Sequence, residues 1–135
     1  MIAARTAVLD ASVLVRSVIG PGGEGAAWVA AVDHGTVEGH TATLAFTEAA
    51  SALLRYVRAD ALTLADATNA LGALAGLPLR LHGHELAPAA LVTALDLELS
   101  AYDGMYAALA ESLDAVLVTA DRGLAAAVRS AELVS

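Results

Sequence analysis

Two short apolar runs, each closed by an aspartate, constrain the fold of this chain more than any other feature. Residues 4–9 and Val116–Thr119 are rich in valine, leucine and alanine, a composition typical of strands buried within a sheet. Asp10 directly follows the first run, and Asp121 lies two residues after the second. If both runs belong to one parallel sheet, their carboxyl ends share an edge, and both carboxylates lie there.

Helical segments between these runs complete an α/β pattern. Apolar residues at helical spacing predict helices at Glu24–Asp33, Leu44–Arg58, 64–75, Ala87–Leu97 and 100–113, and shorter ones at 12–19 and 124–129. Weaker strands are predicted at 35–43, 79–81 and 133–134. Strands alternating with helices favour a central parallel sheet flanked by helices on both faces, an α/β/α sandwich. We expect one domain, residues 1–135, whose 58% hydrophobic content can fill a core.

Composition excludes several kinds of chemistry. Without cysteine, disulfides and thiolate-bound zinc are excluded, so any metal must be held by oxygen or imidazole ligands. Without lysine, a P-loop is excluded, and every basic residue is an arginine. No apolar run reaches the ~18 residues of a membrane span, and the start lacks a signal-peptide pattern, so we expect a cytoplasmic protein that does not enter membranes. The net charge of −8 opposes broad binding to nucleic acid.

Four acidic residues are the candidate metal-binding and catalytic groups: Asp10, Glu48, Asp103 and Asp121. Like charges raise one another's pKa, so a fold that gathers carboxylates at a sheet edge is expected to use them to hold a hard divalent cation. Each residue taken alone also has a structural interpretation. Asp10 and Asp121 suit helix N-caps, Asp103 suits a first helical turn, and Glu48 can be a solvated residue paired with an arginine.

Four segments around these acids form a recognisable pattern. They read L-D-A-S at 9–12, T-E-A-x-S-A-L-x-R at 47–55, S-A-Y-D-x-x-Y-x-x-L-A at 100–110 and L-V-T-A-D-R-x-L at 117–124. The first segment alone is a weak signal, whereas the last two in tandem are specific. The pattern runs nearly end to end and resembles the PIN domain, and more closely the VapC-type toxins within it.

The resemblance implies an endoribonuclease that depends on Mg²⁺ or Mn²⁺ and acts as the toxin of a type II toxin–antitoxin pair. By this likeness, Asp10, Glu48, Asp103 and Asp121 bind one or two metals directly or through water, and metal-activated water hydrolyses an RNA phosphodiester bond. Asp10 and Asp103 are the first expected ligands, Asp121 is the next, and Glu48 acts through water. The resemblance also implies a small VapB-like antitoxin as partner, and a homodimer.

Neighbouring polar residues are candidates for supporting roles. Ser12 and Thr119 are near two of the acids in sequence and can orient them by hydrogen bonds, although Ser12 can equally be a helix-start hydroxyl. Arg16, Arg55 and Arg122 are candidates for contacts with substrate phosphates, with solvated surface positions as the alternative.

The remaining aromatic and imidazole residues are predicted to be structural. Tyr102 and Tyr106 fit packing better than base stacking. His82 and His84 can share one strand face, but they lack the spacing of a helical metal pair.

Two alternative functions use the same residues differently. A PIN-like binding or regulatory module without nuclease activity is opposed by the presence of all four acids. A phosphotransfer protein of the receiver or haloacid-dehalogenase kind is opposed by the lack of lysine, and by Ser12 where the dehalogenase motif has a second aspartate. Metal-dependent cleavage of RNA separates the nuclease from both alternatives.

Overall fold

The computed structural model describes residues 5–20 and 22–135, and within them five strands alternate with seven helices. The strands are β1 (Arg5–Leu9), β2 (Val37–Ala42), β3 (Arg80–His82), β4 (Val116–Thr119) and β5 (Ala131–Leu133). The helices are α1 (Ala11–Val18), α2 (Glu24–Asp33), α3 (Leu44–Arg58), α4 (Leu64–Ala75), α5 (Ala87–Leu97), α6 (Ala101–Leu113) and α7 (Arg122–Ala127). A 3₁₀ turn, His84–Leu86, leads into α5.

All five strands are parallel, in the order β3-β2-β1-β4-β5. The chain therefore extends the sheet from β1 to one side through β2 and β3, and then returns to the other side of β1 with β4 and β5. Leu9 of β1 lies opposite Val118 of β4, so the two strands end together. In open α/β sheets a ligand crevice forms at such a reversal of strand order, outside the carboxyl ends of the strands.

The central strand is buried on both of its faces. Ala7, Val8 and Leu9 are consecutive and fully buried, and successive strand residues point to opposite sides of a sheet. Helices must therefore cover both sides, and the predicted α/β/α sandwich with a parallel sheet is confirmed. None of the described helices combines the length and apolar character needed to cross a membrane.

Most predicted elements agree with the structure, and the differences lie at the ends of short elements. The last helix was predicted at 124–129 but starts at Arg122, because Asp121 caps it. The last strand was predicted at 133–134 but occupies Ala131–Leu133, where pairing with β4 sets its position. The short strand predicted at 79–81 lies one residue later, at Arg80–His82. Ala4, which was assigned to the first strand, lies outside the described residues.

Histidines join the two strands at one margin of the sheet. Nδ1 of His40 on β2 lies 2.9 Å from Nε2 of His82 on β3, and Nε2 of His40 lies 2.8 Å from Oε1 of Glu38. His84, predicted to share a strand face with His82, instead opens the 3₁₀ turn. The pairing of His82 with His40 thus connects the edge strand to β2 through side chains as well as through the backbone.

Helices α5 and α6 approach closely at a glycine. A Cβ atom added at Gly104 would lie 2.6 Å from the carbonyl oxygen of Ala90 and 3.0 Å from the Cβ of Ala94. Small residues on both helices therefore permit a backbone contact that a side chain would block. This contact fixes α6, and with it Asp103 in the first turn of that helix, relative to α5.

Gly104→Ala is expected to lower the free energy of unfolding by about 1–3 kcal/mol, since the added methyl group meets backbone rather than a flexible side chain. Gly72→Ala is the matched control, because Gly72 is an exposed helical glycine and a Cβ atom added there would have nothing within 4 Å. That control should gain about 0.5–1 kcal/mol from helix propensity. Chemical denaturation measures both variants, and equal stabilisation of the two would contradict the close contact.

Candidate active site

Asp10 is the most constrained of the four acidic side chains. It follows β1 and caps α1, where its Oδ1 accepts a hydrogen bond from the Val13 amide at 3.2 Å. The Ser12 hydroxyl donates to the same oxygen and the Thr119 hydroxyl donates to Oδ2, each at 2.5 Å. Asp10 is only 5% exposed. Three donors therefore hold both carboxylate oxygens in fixed directions.

Burial and hydrogen bonding act in opposite directions on this carboxyl group. Burial raises the pKa of Asp10 above its usual range, while hydrogen bonds from Ser12, Thr119 and the Val13 amide lower it, and the net change is upward. The two hydroxyl residues selected from the sequence both contact Asp10. They orient the carboxylate and partly compensate its loss of water.

The same two hydroxyls join the ends of β1 and β4. Ser12 Oγ accepts a hydrogen bond from the Ala120 amide at 2.9 Å, and Thr119 Oγ1 accepts one from the Asp121 amide at 3.0 Å. Asp121 in turn caps α7, where its Oδ1 accepts from the Leu124 amide at 3.0 Å. The structure thus confirms the cap interpretation of Asp10 and Asp121, and both residues remain candidate ligands.

Asp103 lies in the first turn of α6, and its position is set by the cap of that helix. The Ser100 hydroxyl accepts a hydrogen bond from the Asp103 amide at 3.1 Å. Burial raises the pKa of the Asp103 carboxyl, and the negative charges of Asp121 and Asp10 raise it further. The carboxylates that follow β1 and β4 are thus near enough to Asp103 to disfavour its ionisation.

Glu48 reaches the same region from α3. Tyr106 of α6 is 2% exposed and donates its hydroxyl hydrogen to Oε1 of Glu48 at 2.5 Å. Burial raises the pKa of the Glu48 carboxyl, the hydrogen bond from Tyr106 lowers it, and the charges of Asp10 and Asp103 raise it. Burial and the contact with Glu48 also raise the pKa of Tyr106, so its hydroxyl stays a donor at neutral pH.

Sequence reasoning missed Tyr106 as a member of this group of side chains. It was expected to pack, and it does, but its hydroxyl also positions Glu48. One signal was present in the sequence, since Tyr106 follows Asp103 by three residues and such pairs share a helix face.

The charges of Asp10 and Asp103 raise the pKa of Glu48, and those of Asp121 and Asp10 raise the pKa of Asp103, so the four acids lie in one region. Asp10 and Asp103 place this region beside the amino ends of α1 and α6. Partial positive charge at helix N-termini stabilises nearby anions by about 0.3–1 kcal/mol each. In residues 5–20 and 22–135, the ion pairs involve other acids, namely Glu38 and Glu132. The described arginines therefore leave this carboxylate cluster uncompensated by ion pairing, and the helix termini and hydroxyl donors supply its internal stabilisation.

The carboxylate oxygens of the four acids are ligands that a hard divalent cation prefers. Their arrangement, however, limits how many of them can contact one ion. Across the described ranges, no three His, Asp or Glu side chains are arranged so that they could hold one ion. Mg²⁺ usually keeps several of its waters and binds through only one or two carboxylates. The arrangement thus fits a hydrated ion contacted by part of the cluster, with the remaining acids acting through water.

A groove of about 630 Å³ opens beside Glu48, between α1, α3 and the start of α6. Its lining includes Ser12, Arg16 and Arg55, so two of the three arginines selected from the sequence face the same space as Glu48. Arg122 instead begins α7 and is exposed outside this lining. The groove therefore brings positive charge next to the acidic cluster.

Removing one like charge from the cluster should stabilise the metal-free protein. Because folding raises the pKa of Asp103 above its ordinary 3.8, the folded state binds the proton more tightly, and the stability contributed by this residue falls as pH rises through that interval. In EDTA at pH 7, Asp103→Asn should therefore raise the free energy of unfolding. The gain should be at most about 1 kcal/mol, since partial exposure screens the repulsion.

The gain should disappear below pH 3.8, where Asp103 is protonated in both the folded and the unfolded chain. Thermal unfolding of the two proteins across this pH range in EDTA measures the difference. A constant difference at all pH values would show that electrostatic repulsion is not its cause.

Comparison with known proteins identifies the family and the fold of this chain. Residues 7–129 match the PIN domain family. The fold is similar to PAE2754 from Pyrobaculum aerophilum, with a TM-score of 0.78 and 26% identity, covering 95% of this chain and 88% of that one. No curated protein sequence matches significantly.

Two further solved structures share the fold at lower sequence identity. A toxin–antitoxin complex from Klebsiella pneumoniae has a TM-score of 0.66 and 13% identity, covering 93% of this chain and 95% of that one. FitAcB from Neisseria gonorrhoeae has a TM-score of 0.64 and 16% identity, covering 94% and 96%. The family match spans nearly all of the described elements, from β1 to the end of α7, and the chain belongs to the PIN domain family.

Proposed function

We propose that this protein is a metal-dependent endoribonuclease and the toxin of a type II toxin–antitoxin pair. PIN domains are generally nucleases, so family membership supports hydrolysis of nucleic acid. The observation that carries the proposal is the cluster of Asp10, Glu48, Asp103 and Asp121. Three of these carboxyl groups have their pKa raised by burial, and two of them also by neighbouring carboxylates. Such a cluster is well suited to a cation.

Asp10 and Asp103 are the proposed direct ligands of Mg²⁺ or Mn²⁺, with Asp121 and Glu48 acting directly or through water. A bound cation would supply Lewis-acid activation of water and neutralise charge on the phosphate. Oxygen ligands are those that hard cations prefer, and the chain has no thiol to offer a softer ion.

The surrounding residues have separate tasks in this proposal. Ser12 and Thr119 hold Asp10 by donating to each of its oxygens, which limits rotation of the carboxylate. Tyr106 does the same for one oxygen of Glu48. Fixed carboxylates cost little reorganisation when a charged substrate arrives, which is how preorganised sites accelerate reactions.

Substrate attraction must be local, because the chain as a whole carries a charge of −8. Arg16 and Arg55 line the groove beside Glu48 and are the proposed contacts for RNA phosphates. Guanidinium groups suit this task through paired hydrogen bonds to phosphate oxygens. The proposal therefore limits RNA binding to this groove rather than to a broad basic surface.

The proposed partners are a small antitoxin and a second copy of the chain. A toxin–antitoxin complex from Klebsiella pneumoniae has the same fold, which supports the first partner. Exposed Leu91, Val92 and Leu95 on α5 support self-association, since clustered apolar side chains on a surface often mark interfaces. The mass of the purified protein in solution, alone and with the product of an adjacent gene, tests both.

Asp10→Asn is expected to reduce cleavage of RNA by at least about 100-fold, since even supporting residues of metal sites affect activity by 10–100-fold. The assay incubates total RNA with the protein in Mg²⁺, Mn²⁺ or EDTA. Cleavage should require metal and be lost in the variant, while circular dichroism verifies that the variant folds. Full metal-dependent activity of the variant would remove Asp10 from the ligand set.

The same assay decides between the nuclease and the binding module. If no metal supports cleavage of RNA or of single-stranded DNA, although the protein is folded and binds RNA, the binding or regulatory module becomes the better description.

Arg55→Ala is expected to weaken RNA binding about fivefold, corresponding to about 1 kcal/mol for an exposed charge contact, without changing metal affinity. Arg58→Ala is the matched control. Arg58 lies on the same helix, is exposed and carries the same charge, but it is not part of the groove lining. Fluorescence anisotropy with a labelled RNA measures both variants, and equal weakening would attribute the effect to net charge alone.

A further inference from the structure

The groove beside Glu48 has aromatic side chains in its lining as well as arginines. Tyr102 of α6 is 66% exposed and Tyr56 of α3 is 41% exposed, and both line the space of about 630 Å³. Large aromatic side chains on a protein surface leave much of their apolar area in contact with water. These two rings are therefore available to a ligand in the groove.

Tyr102 and Tyr106 have opposite environments although they are one helical turn apart. Tyr106 is almost fully buried and contacts Glu48, whereas Tyr102 lies in the first turn of α6 and faces the groove. The prediction that both tyrosines are packing residues is therefore wrong for Tyr102. Its ring is largely uncovered and belongs to the residue immediately before Asp103 in the chain.

Helix α3 presents one continuous stripe to the groove. Glu48, Ser51, Ala52, Arg55 and Tyr56 all line it, at the spacing of neighbours along one helix face. From the first to the last of these residues the stripe is about 12 Å long at 1.5 Å per residue. That length exceeds the ~3.4 Å rise of one nucleotide in a stacked strand, so the groove can follow more than one nucleotide.

The groove combines the two chemical features that hold single-stranded nucleic acid. Arg16 and Arg55 can neutralise backbone phosphates, and the exposed rings offer faces on which bases can stack. A base held in a duplex is already paired and stacked, so only an unpaired base can use such a ring. Stacking is also tolerant of base identity, because every base has a π-face.

We propose that Tyr102 is a stacking platform for one unpaired base next to the cleaved bond, with Tyr56 farther along the groove and Arg16 and Arg55 on the intervening phosphates. Such a contact requires that the base at this position be unpaired. This inference rests on the proposed nuclease function and specifies how its substrate is held.

Binding of a short single-stranded RNA to the Asp10→Asn protein in Mg²⁺ tests the stacking contact without cleavage. Adding Tyr102→Ala should weaken binding about 5- to 150-fold, the equivalent of the 1–3 kcal/mol typical of one base–aromatic stack. Tyr102→Phe keeps the ring and should bind within about twofold of the parent. Leu64→Ala, which removes a 68% exposed apolar side chain on α4 that lies outside the groove lining, should have no effect.

Two altered substrates make the test specific to stacking. An RNA with an abasic position should bind the parent more weakly, and at the position nearest the cleaved bond Tyr102→Ala should cause no further loss. The same sequence as a blunt duplex should bind more weakly than the single strand. Equal binding by the alanine and parent proteins, equal binding of duplex and single strand, or no binding at all would overturn the proposal.

Cleavage by the unmodified chain, measured separately, distinguishes failure of this inference from failure of the nuclease function. Metal-dependent cleavage combined with unchanged binding in Tyr102→Ala would overturn the stacking contact and leave the nuclease intact. Binding that depends on Tyr102 without cleavage in any metal would support the stacking contact on a non-catalytic RNA-binding protein.

Discussion

The carboxylate of Asp10 is the point on which the rest of the site depends. It accepts hydrogen bonds from two hydroxyls and one amide, and those hydroxyls in turn accept from the amides of Ala120 and Asp121. A single buried charge is thereby joined to the ends of two neighbouring strands and to the start of two helices. The strand order places these ends side by side, so the sheet topology and the hydrogen bonds reinforce each other.

The cluster stores unfavourable electrostatic energy in the metal-free protein. Burial raises the pKa of three carboxyl groups, and neighbouring carboxylates raise those of Glu48 and Asp103 further. A cation that binds only the folded state would relieve this repulsion and stabilise the fold by mass action. Binding of such a cation would therefore be coupled to stability, and the helix termini and hydroxyl donors determine how much repulsion the metal-free cluster retains.

Much of the fold could be predicted because its signals are local. Helices Leu44–Arg58 and Ala87–Leu97 were predicted to the residue, since apolar spacing defines them without reference to the rest of the chain. The start of α7 was misplaced by two residues, because Asp121 was considered as both cap and ligand while the helix was drawn from its apolar residues. Short edge strands were shifted because their limits depend on pairing with β2 and β4.

The parts of the site that sequence reasoning missed depend on packing between distant segments. The contact of Tyr106 with Glu48 joins residues 58 positions apart and follows from the way α6 lies against α3. The exposure of Tyr102 also depends on packing between helices. Helical spacing alone does not predict which turn of α6 extends beyond the neighbouring helix. The pairing of His40 with His82 requires the register of β2 and β3. The resemblance to the PIN domain identified the four acidic residues, but it did not identify these supporting contacts.

The hydrogen bond from Thr119 to Asp10 spans 109 positions of the chain, which has a consequence for synthesis. Chains are made from the amino end, so the residues of β1, β2, α3 and β3 are translated before those of β4. Until Thr119 and Asp121 join them, Asp10 lacks one of its donors and the cluster lacks one of its carboxylates. A chain that stops before β4 thus has no assembled site, and the carboxylate cluster assembles only after β4 and Asp121 have been made.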